Sequence, residues 1–424
     1  MDLYFQRHDG QAVTTDDFVA ALADANDLDL TQFKRWYNQA GTPLVTVKSI
    51  YDQKAKTYTL TFSQKTDPTA DNSPKEPFYI PVKMSLINKE GKPLPLDCDE
   101  AYSIQDNRAI LVFKEPTQTF TFKDVPTQPI PSLFEGFSAP VICRTPYSHS
   151  DLASLIAHAP DSFNRWDAAQ SLLTEVILSH MSNHVTSLED LKGALKHALE
   201  RADEDPELTA MLLTMPSLSY LGKEMTEVPI LPLIQSREKI QRDLGDLLYD
   251  DLMKTYQKAQ SHDKHQMTPK EIQYRTLKNA CLTLLGQTHS QEVLQLCGNQ
   301  FKNARNMTDT MGALSAMNDY DQSIRNTCFD AFYQKWQNEI LVVNKWLALQ
   351  ASQKIEGALA KVKGLLTHKA FDLNNPNKVY ALIGGFCNNN PRFHEANGEG
   401  YGFLAELILK LNQKNPQVAS RMLE

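Results

Sequence analysis

FSAPVICRTPYSHSDLASLIAHAPDSFNRWDAAQ, residues 137–170, is where the chain changes its period. Upstream of it, apolar residues recur at every second position. Downstream they recur at every third or fourth, which is the helical repeat. Within the stretch, Ser150 and Asp151 offer an N-cap for a short helix that Pro160 stops. Asp161 or Ser162 then opens a longer helix whose Phe163, Trp166, Ala169, Leu173, Val176 and Ile177 fall on one face. Arg165 and Asp167 flank Trp166 and read as a solvated or interface ion pair at a helix start.

Working back from this joint, residues 44–135 read as strands. Tyr58, Leu60 and Phe62 alternate with Thr57, Thr59 and Thr61, and Val82, Met84 and Leu86 alternate with Lys83 and Ser85. Phe120 and Phe122 alternate with threonines. Period two in β-branched and aromatic residues marks half-buried strands. Asp67-Pro68, Asn72-Ser73-Pro74, Glu90-Gly91-Lys92-Pro93 and Asp106-Asn107 supply the turns. Six or seven short strands at this spacing predict a small β-sandwich. Ahead of them, residues 1–40 read as helical. Thr14 or Thr15 caps one helix, Asp29 starts another carrying Phe33, Trp36 and Tyr37, and Gly41 with Pro43 ends it. So few helices cannot bury their own apolar faces, so 1–43 is expected to be the tail of a larger domain.

Forward from the joint, helix follows helix. Thr186 with Glu189 has the capping-box pattern. Asp205-Pro206, Thr268-Pro269, Asn375-Pro376, Asn390-Pro391 and Asn415-Pro416 each place a cap residue before a proline that opens a helix. Many helices of ordinary length with short connections, and no strict period, predict an irregular α-solenoid. The fold expected is therefore multi-domain and mainly α: a small β-sandwich over 44–140 followed by an α-helical superhelix over 141–424. Val418, Met422 and Leu423 begin an apolar stripe that stops at Glu424, so the last helix is expected to be incomplete.

A chain of 424 residues exceeds one hydrophobic core. Its net charge of −8 argues against a nucleic-acid partner, which needs a concentrated basic face. No run approaches the ~18 apolar residues of a membrane span, so no membrane partner is expected. The six cysteines (Cys98, Cys143, Cys281, Cys297, Cys328 and Cys387) are scattered without a CxxC pair. They read as reduced core thiols of a cytoplasmic protein.

Motifs with chemistry are few. His394-Glu395 begins like HExxH, but the fifth residue is Gly398, so the ligand spacing fails. His180 and His184 are i,i+4 without a suitably placed glutamate and read as a solvated pair. His262 and His265 read as surface. GxSxG, GxxxxGK[ST] and GxGxxG are absent. Asn306-Met307-Thr308 fits a glycosylation sequon by chance. Phe329, Phe332, Tyr333 and Trp336 have helical spacing and read as core. No catalytic, metal or cofactor residue is expected in this chain. One polar pair stands out: Gln417 and Arg421 are i,i+4 and share a helix face.

FSAPV at 137–141 and SFNRWDAAQSL at 162–172 resemble the hinge between the β-domain and the helical C-terminal domain of the bacterial alanyl aminopeptidase (aminopeptidase N) family, zinc metallopeptidases of the gluzincin group. The resemblance extends through MDLYFQRHDG (1–10), FKRWYNQAGTP (33–43), RTLKNACL (275–282), NMTD (306–309), NPNK (375–378) and NPQVASR (415–421). It covers only the C-terminal part of such an enzyme. It implies that 1–43 closes a thermolysin-like catalytic domain whose zinc motif would lie before Met1, encoded upstream or on a separate chain. For the complete enzyme it implies zinc-assisted removal of N-terminal residues from peptide substrates, with a glutamate as general base. It also implies that Gln417 and Arg421 reach the internal cavity and bind substrate. Arginine can hold a peptide carboxylate and glutamine a peptide amide. By this reading the chain alone is inactive. A non-enzymatic solenoid that binds a peptide or protein is the other class the pattern allows.

Overall fold

The computed structural model describes residues 1–184, 187–261 and 267–423. Thr186 and the pair His262 and His265 lie outside the described residues. The chain divides into two compact units, Met1–Ala169 and Gln170–Glu424.

The first unit is built on eight strands: β1 (Pro43–Asp52), β2 (Thr57–Thr66), β3 (Ile80–Ile87), β4 (Ser103–Gln105), β5 (Arg108–Phe113), β6 (Thr117–Phe122), β7 (Ile130–Leu133) and β8 (Ile142–Arg144). They form two four-stranded sheets, ordered β6-β2-β1-β8 and β4-β5-β3-β7. Among the described residues only β1 and β8 pair in parallel; the other pairs are antiparallel. The period-two pattern becomes burial directly. Tyr58, Leu60 and Phe62 of one sheet and Val82, Met84, Leu111 and Phe113 of the other fill one core. On the outer face, the hydroxyls of Thr59 and Thr121, Thr61 and Thr119, and Ser63 and Thr117 pair across β2 and β6 at 3.1–3.3 Å. Asp106 and Asn107 both have positive φ, the geometry that a two-residue hairpin turn requires.

Three helices precede the sandwich: α1 (Asp2–His8), α2 (Thr15–Asn26) and α3 (Arg35–Asn38). Thr14 caps α2 in a capping box with Asp17. The helix expected from Asp29 shrinks to the single turn α3, because its side chains bond elsewhere. Trp36 Nε1 donates to Tyr79 O at 2.7 Å, Gln32 Nε2 to Lys114 O at 2.7 Å, and Arg35 Nη1 to Pro77 O. Gln39 exchanges two bonds with the Glu76 backbone. The FKRWYNQ motif is thus a clamp on the extended segment 76–79. Trp36→Phe removes the indole donor and is expected to cost about 1–2 kcal/mol, read as an earlier urea transition of the sandwich. An unshifted midpoint would show that the clamp contributes nothing.

At the joint, Phe134, Gly136 and Phe137 all lie in the left-handed region, with φ of 58°, 63° and 54°. Two aromatic residues there store strain. Between them, buried Glu135 holds the turn: Arg108 Nε donates to it at 2.8 Å and Ser85 Oγ at 2.5 Å. Helix α4 (His149–His158) is capped by Ser148, not Ser150, since Ser148 and Asp151 close a capping box. Helix α5 (Ser162–Met181) starts against the sandwich, with Asn164 Nδ2 donating to Leu133 O at 2.6 Å. Arg165 Nε donates to Ile156 O at 2.8 Å and so caps α4.

After α5 the second unit runs α6 (Glu189–Glu200), α7 (Pro206–Leu212), α8 (Leu218–Gly222), α9 (Ile230–Leu247), α10 (Tyr249–Ser261) and α11 (Pro269–Gly286). Then come α12 (Gln291–Asn303), α13 (Met307–Ala316), α14 (Ser323–Trp336), α15 (Ile340–Ala351) and α16 (Ala358–Leu365). The last are α17 (Pro376–Val379), a π-helical turn over Tyr380–Gly384, α18 (Gly385–Cys387), α19 (Asn390–Phe393), α20 (Glu399–Asn412) and α21 (Pro416–Arg421). Asp205, Thr268, Asn375 and Asn415 cap as their Pro-led sequences predict. Asn390 does not; it is already inside α19. Close crossings need glycine: a Cβ on Gly286 would lie 2.6 Å from Ala316 O, and one on Gly245 2.7 Å from Leu284 O. Side chains from neighbouring helices also satisfy helix-end carbonyls. Gln170 donates to Thr214 O, Asn318 to Leu349 O, and Asn389 to Ala351 O and Gln353 O.

Candidate functional site

The polar pair Gln417 and Arg421 sits on α21. Asn415 opens this helix, its Oδ1 accepting from Val418 N at 3.2 Å, and Pro416 occupies the first helical position. Val418 and Ala419 are buried and fix which face points inward. Gln417 and Arg421 are exposed on the other face, one turn apart. Among the described residues neither makes a hydrogen bond or ion pair, so both are available to a ligand. On the Val418 side of the helix, lined by neither of the pair, a cleft of about 100 Å³ runs between Leu373, Pro376, Leu411 and Val418, with Lys414 Nζ donating to Asn374 Oδ1 at 3.0 Å. The pair supplies one fixed cation, one amide donor and one amide acceptor.

Two of the histidines singled out in the sequence bond elsewhere. His394 Nδ1 lies 2.6 Å from Tyr401 Oη, and burial lowers its pKa. Glu395 pairs with Arg392 at 2.7 Å. His180 lies in the last turn of α5, with Nδ1 3.0 Å from Ser236 Oγ. The helix stops at Met181 and Asn183 turns left-handed, so His180 and His184 do not share a helical face. Burial pushes the thiols of Cys281 and Cys297 up to about 12, away from the thiolate that a metal requires. Among the described residues no group of three or more His, Cys, Asp or Glu is placed to hold a metal. The donor set of the described residues does not fit a zinc site.

Two stretches of the sequence meet in a buried polar network. Lys278, 2% exposed, places Nζ 3.0 Å from Asp309 Oδ1. Arg275 lies 3.9 Å from the carboxylates of both Glu271 and Asp309. Asn306 caps α13, accepting from Asp309 N at 2.8 Å and donating to Asp309 Oδ2 at 2.9 Å. Gln300 of α12 joins Asn279 to the Asp309 carbonyl, and Tyr256 of α10 donates to Gln300 at 2.8 Å. RTLKNACL and NMTD are therefore one clasp joining four helices. With both amide atoms of Asn306 engaged, the sequon has a capping role. Sequence reasoning missed the clasp. Its local signal is Glu271, Arg275 and Lys278 at i,i+4 and i,i+3 on one helix, α11.

Residues 149–424 match the family model described as a domain of unknown function (DUF3458_C) with ARM repeats. The chain belongs to this family. Residues 41–146 match a model described as a domain of unknown function (DUF3458) with an Ig-like fold. Over its whole length the chain is 40% identical to aminopeptidase N of Escherichia coli (strain K12), covering 49% of that protein. It is 36% identical to aminopeptidase N of Haemophilus influenzae, with 49% covered, and 35% identical to that of Caulobacter vibrioides, with 48% covered. It also resembles the crystal structure of Legionella pneumophila aminopeptidase A in complex with aspartic acid. There the TM-score is 0.81 at 28% identity, covering 99% of this chain and 48% of that one. The chain spans about half the length of these relatives and matches the C-terminal half of bacterial aminopeptidase N. No helix among the described residues is long and apolar enough to cross a membrane.

Proposed function

We propose that this chain is the C-terminal part of a zinc aminopeptidase that removes N-terminal residues from peptides. The observation that carries this reading is the match of the entire chain to half of aminopeptidase N. Residues 1–43 would close a catalytic domain, and the sandwich and helical unit would enclose the substrate chamber. Gln417 and Arg421, exposed and without partners, would face that chamber and bind the peptide. The metal and the groups that act on the scissile bond belong, on this reading, to the half of the relatives that this chain does not match. What these residues contribute is orientation of the peptide and exclusion of water.

Complementation tests this. The chain is co-expressed with the N-terminal half of the Escherichia coli relative and purified. The pair is expected to release p-nitroaniline from Ala-p-nitroanilide and to lose that activity with a chelator. The chain alone is expected to be inactive and to hold less than stoichiometric zinc by elemental analysis. One tightly held zinc per isolated chain, with chelator-sensitive turnover, would falsify the division of labour. A stable but inactive pair would favour the binding-module class.

A further inference from the structure

Phe137 combines backbone strain with an exposed ring. It lies at φ 54°, where a bulky side chain is disfavoured and glycine is at ease. Phe134, at φ 58°, carries the same strain but is 5% exposed, so burial of its ring offsets the cost. Phe137 is 55% exposed. Its ring meets Phe163 edge-on, with centroids 5.3 Å apart, and Phe163 meets Trp166 at 5.8 Å. Phe163 and Trp166 are half-buried, so the three rings form one half-open aromatic row.

The turn is held in this shape from several sides. Gly136 N donates to Asp161 Oδ1 at 2.9 Å, and Glu135 takes bonds from Arg108 and Ser85. Ser138 Oγ donates to Pro81 O at 3.0 Å and accepts from Lys83 N at 3.1 Å. Strain persists where the surroundings over-determine it, and it collects at sites that bind something. Ser138 also fixes where the row stands. Pro81 is two residues beyond Tyr79, whose carbonyl accepts from Trp36 Nε1. Two extended residues span about 7 Å. The strained turn and the FKRWYNQ clamp therefore share the first half of β3. The clamp belongs to residues 1–43, the segment that would close the catalytic domain.

We propose that the row Phe137, Phe163 and Trp166 is a docking surface for the N-terminal, catalytic half of the aminopeptidase, with Phe137 as its anchor. This rests on the reading of the chain as the C-terminal part of that enzyme. The chain spans about half the length of the relatives, so a second body of similar size exists in them to cover the row. Its approach to the sandwich is fixed by the clamp, a few residues from the turn. Asp161 and Arg165 already bond within the chain, so the row offers its partner rings rather than charge, and the complementary face is an apolar pocket. A strained, solvent-facing phenylalanine is a cost to this chain alone. Covered in an interface it becomes the kind of aromatic anchor that carries most of the binding energy.

Phe137→Gly separates the two roles, because it relieves the backbone and removes the ring together. Phe137→Asn, which also tolerates this region, repeats the test with a side chain present. Each full chain is co-expressed with the affinity-tagged N-terminal half of the Escherichia coli relative, and the dissociation constant of the purified pair is measured by dilution. Each full chain alone is melted and sized by light scattering. Both variants are expected to loosen the pair about thirtyfold. Their Tm alone is expected to stay within about 2 °C of the parent chain or to rise above it. Equal affinity for Phe137→Gly and the parent would overturn the docking and leave the two-half reading standing. A parent chain that forms no pair would overturn both. A fall in Tm of about 5 °C or more would make Phe137 an ordinary packing residue and overturn the proposal. So would a dimer of the parent chain that both variants dissolve, since the row would then belong to a second copy.

Discussion

Asp309→Ala is expected to destabilise the helical unit by about 3–5 kcal/mol, the cost of removing one partner from a buried ion pair. The carboxylate faces Lys278 Nζ at 3.0 Å, and both groups are nearly solvent-free. Removing it takes from the Lys278 ammonium the carboxylate that faces it in the interior. It also strips Asn279 and Asn306 of an acceptor, at 3.3 and 2.9 Å. Several elements loosen together, because the clasp joins α10 to α13. The measurement is the far-UV transition in urea, where the midpoint should fall with little change in slope. By the usual scaling for a unit of this size, Tm should fall by roughly 10 °C. A double variant, Lys278→Met with Asp309→Leu, should recover only part of the loss, since Arg275 keeps Glu271 but still loses the Asp309 carboxylate at 3.9 Å. A loss below about 1 kcal/mol for Asp309→Ala would mean that the network is hydrated and the pair screened.

That clasp marks the boundary of what sequence pattern reaches. The sandwich was legible because period two in Tyr58, Leu60 and Phe62 has only one structural meaning when one face is buried. Pro-led helix starts were legible because cap and proline act within four residues. What failed depends on partners far along the chain. The helix at Asp29 shortens because Arg35, Trp36 and Gln39 bond to residues 76–79, about forty positions away. Asp309 meets Lys278 from thirty-one positions off, which no local spacing announces. Local rules also failed where two neighbours compete. Ser148 outcompetes Ser150 because its capping box with Asp151 satisfies two orphan amides at once. The His180–His184 spacing was sound, but Asn183 in the left-handed region takes His184 off the helix. Gln417 and Arg421 were legible as a face-sharing pair, since α21 is a short regular helix with one buried side. Their role was not, because among the described residues none hydrogen-bonds or ion-pairs with them.

If the proposed function holds, then in the enzyme reconstituted with an N-terminal half Arg421→Ala is expected to lower kcat/KM for peptides about ten- to a hundredfold, and to change turnover of a single-residue anilide much less. One charged hydrogen bond is worth roughly 1.5–3 kcal/mol, which sets that ceiling. The difference between substrates follows from what each offers. A tripeptide presents a carboxylate and extra backbone amides, which Arg421 and Gln417 would hold. An alanine anilide presents neither. Gln417→Ala should follow the same ranking with a smaller loss, since a neutral amide bond contributes about 0.5–1.5 kcal/mol. In the isolated chain the same substitutions should leave stability within about 1 kcal/mol, because both side chains are exposed and without partners. Kinetics with Ala-p-nitroanilide beside Ala-Ala-Ala, together with a melt of each variant, separate these effects. Equal losses on both substrates, with a lower Tm, would assign Arg421 to folding. Unchanged peptide kinetics would place α21 away from the substrate.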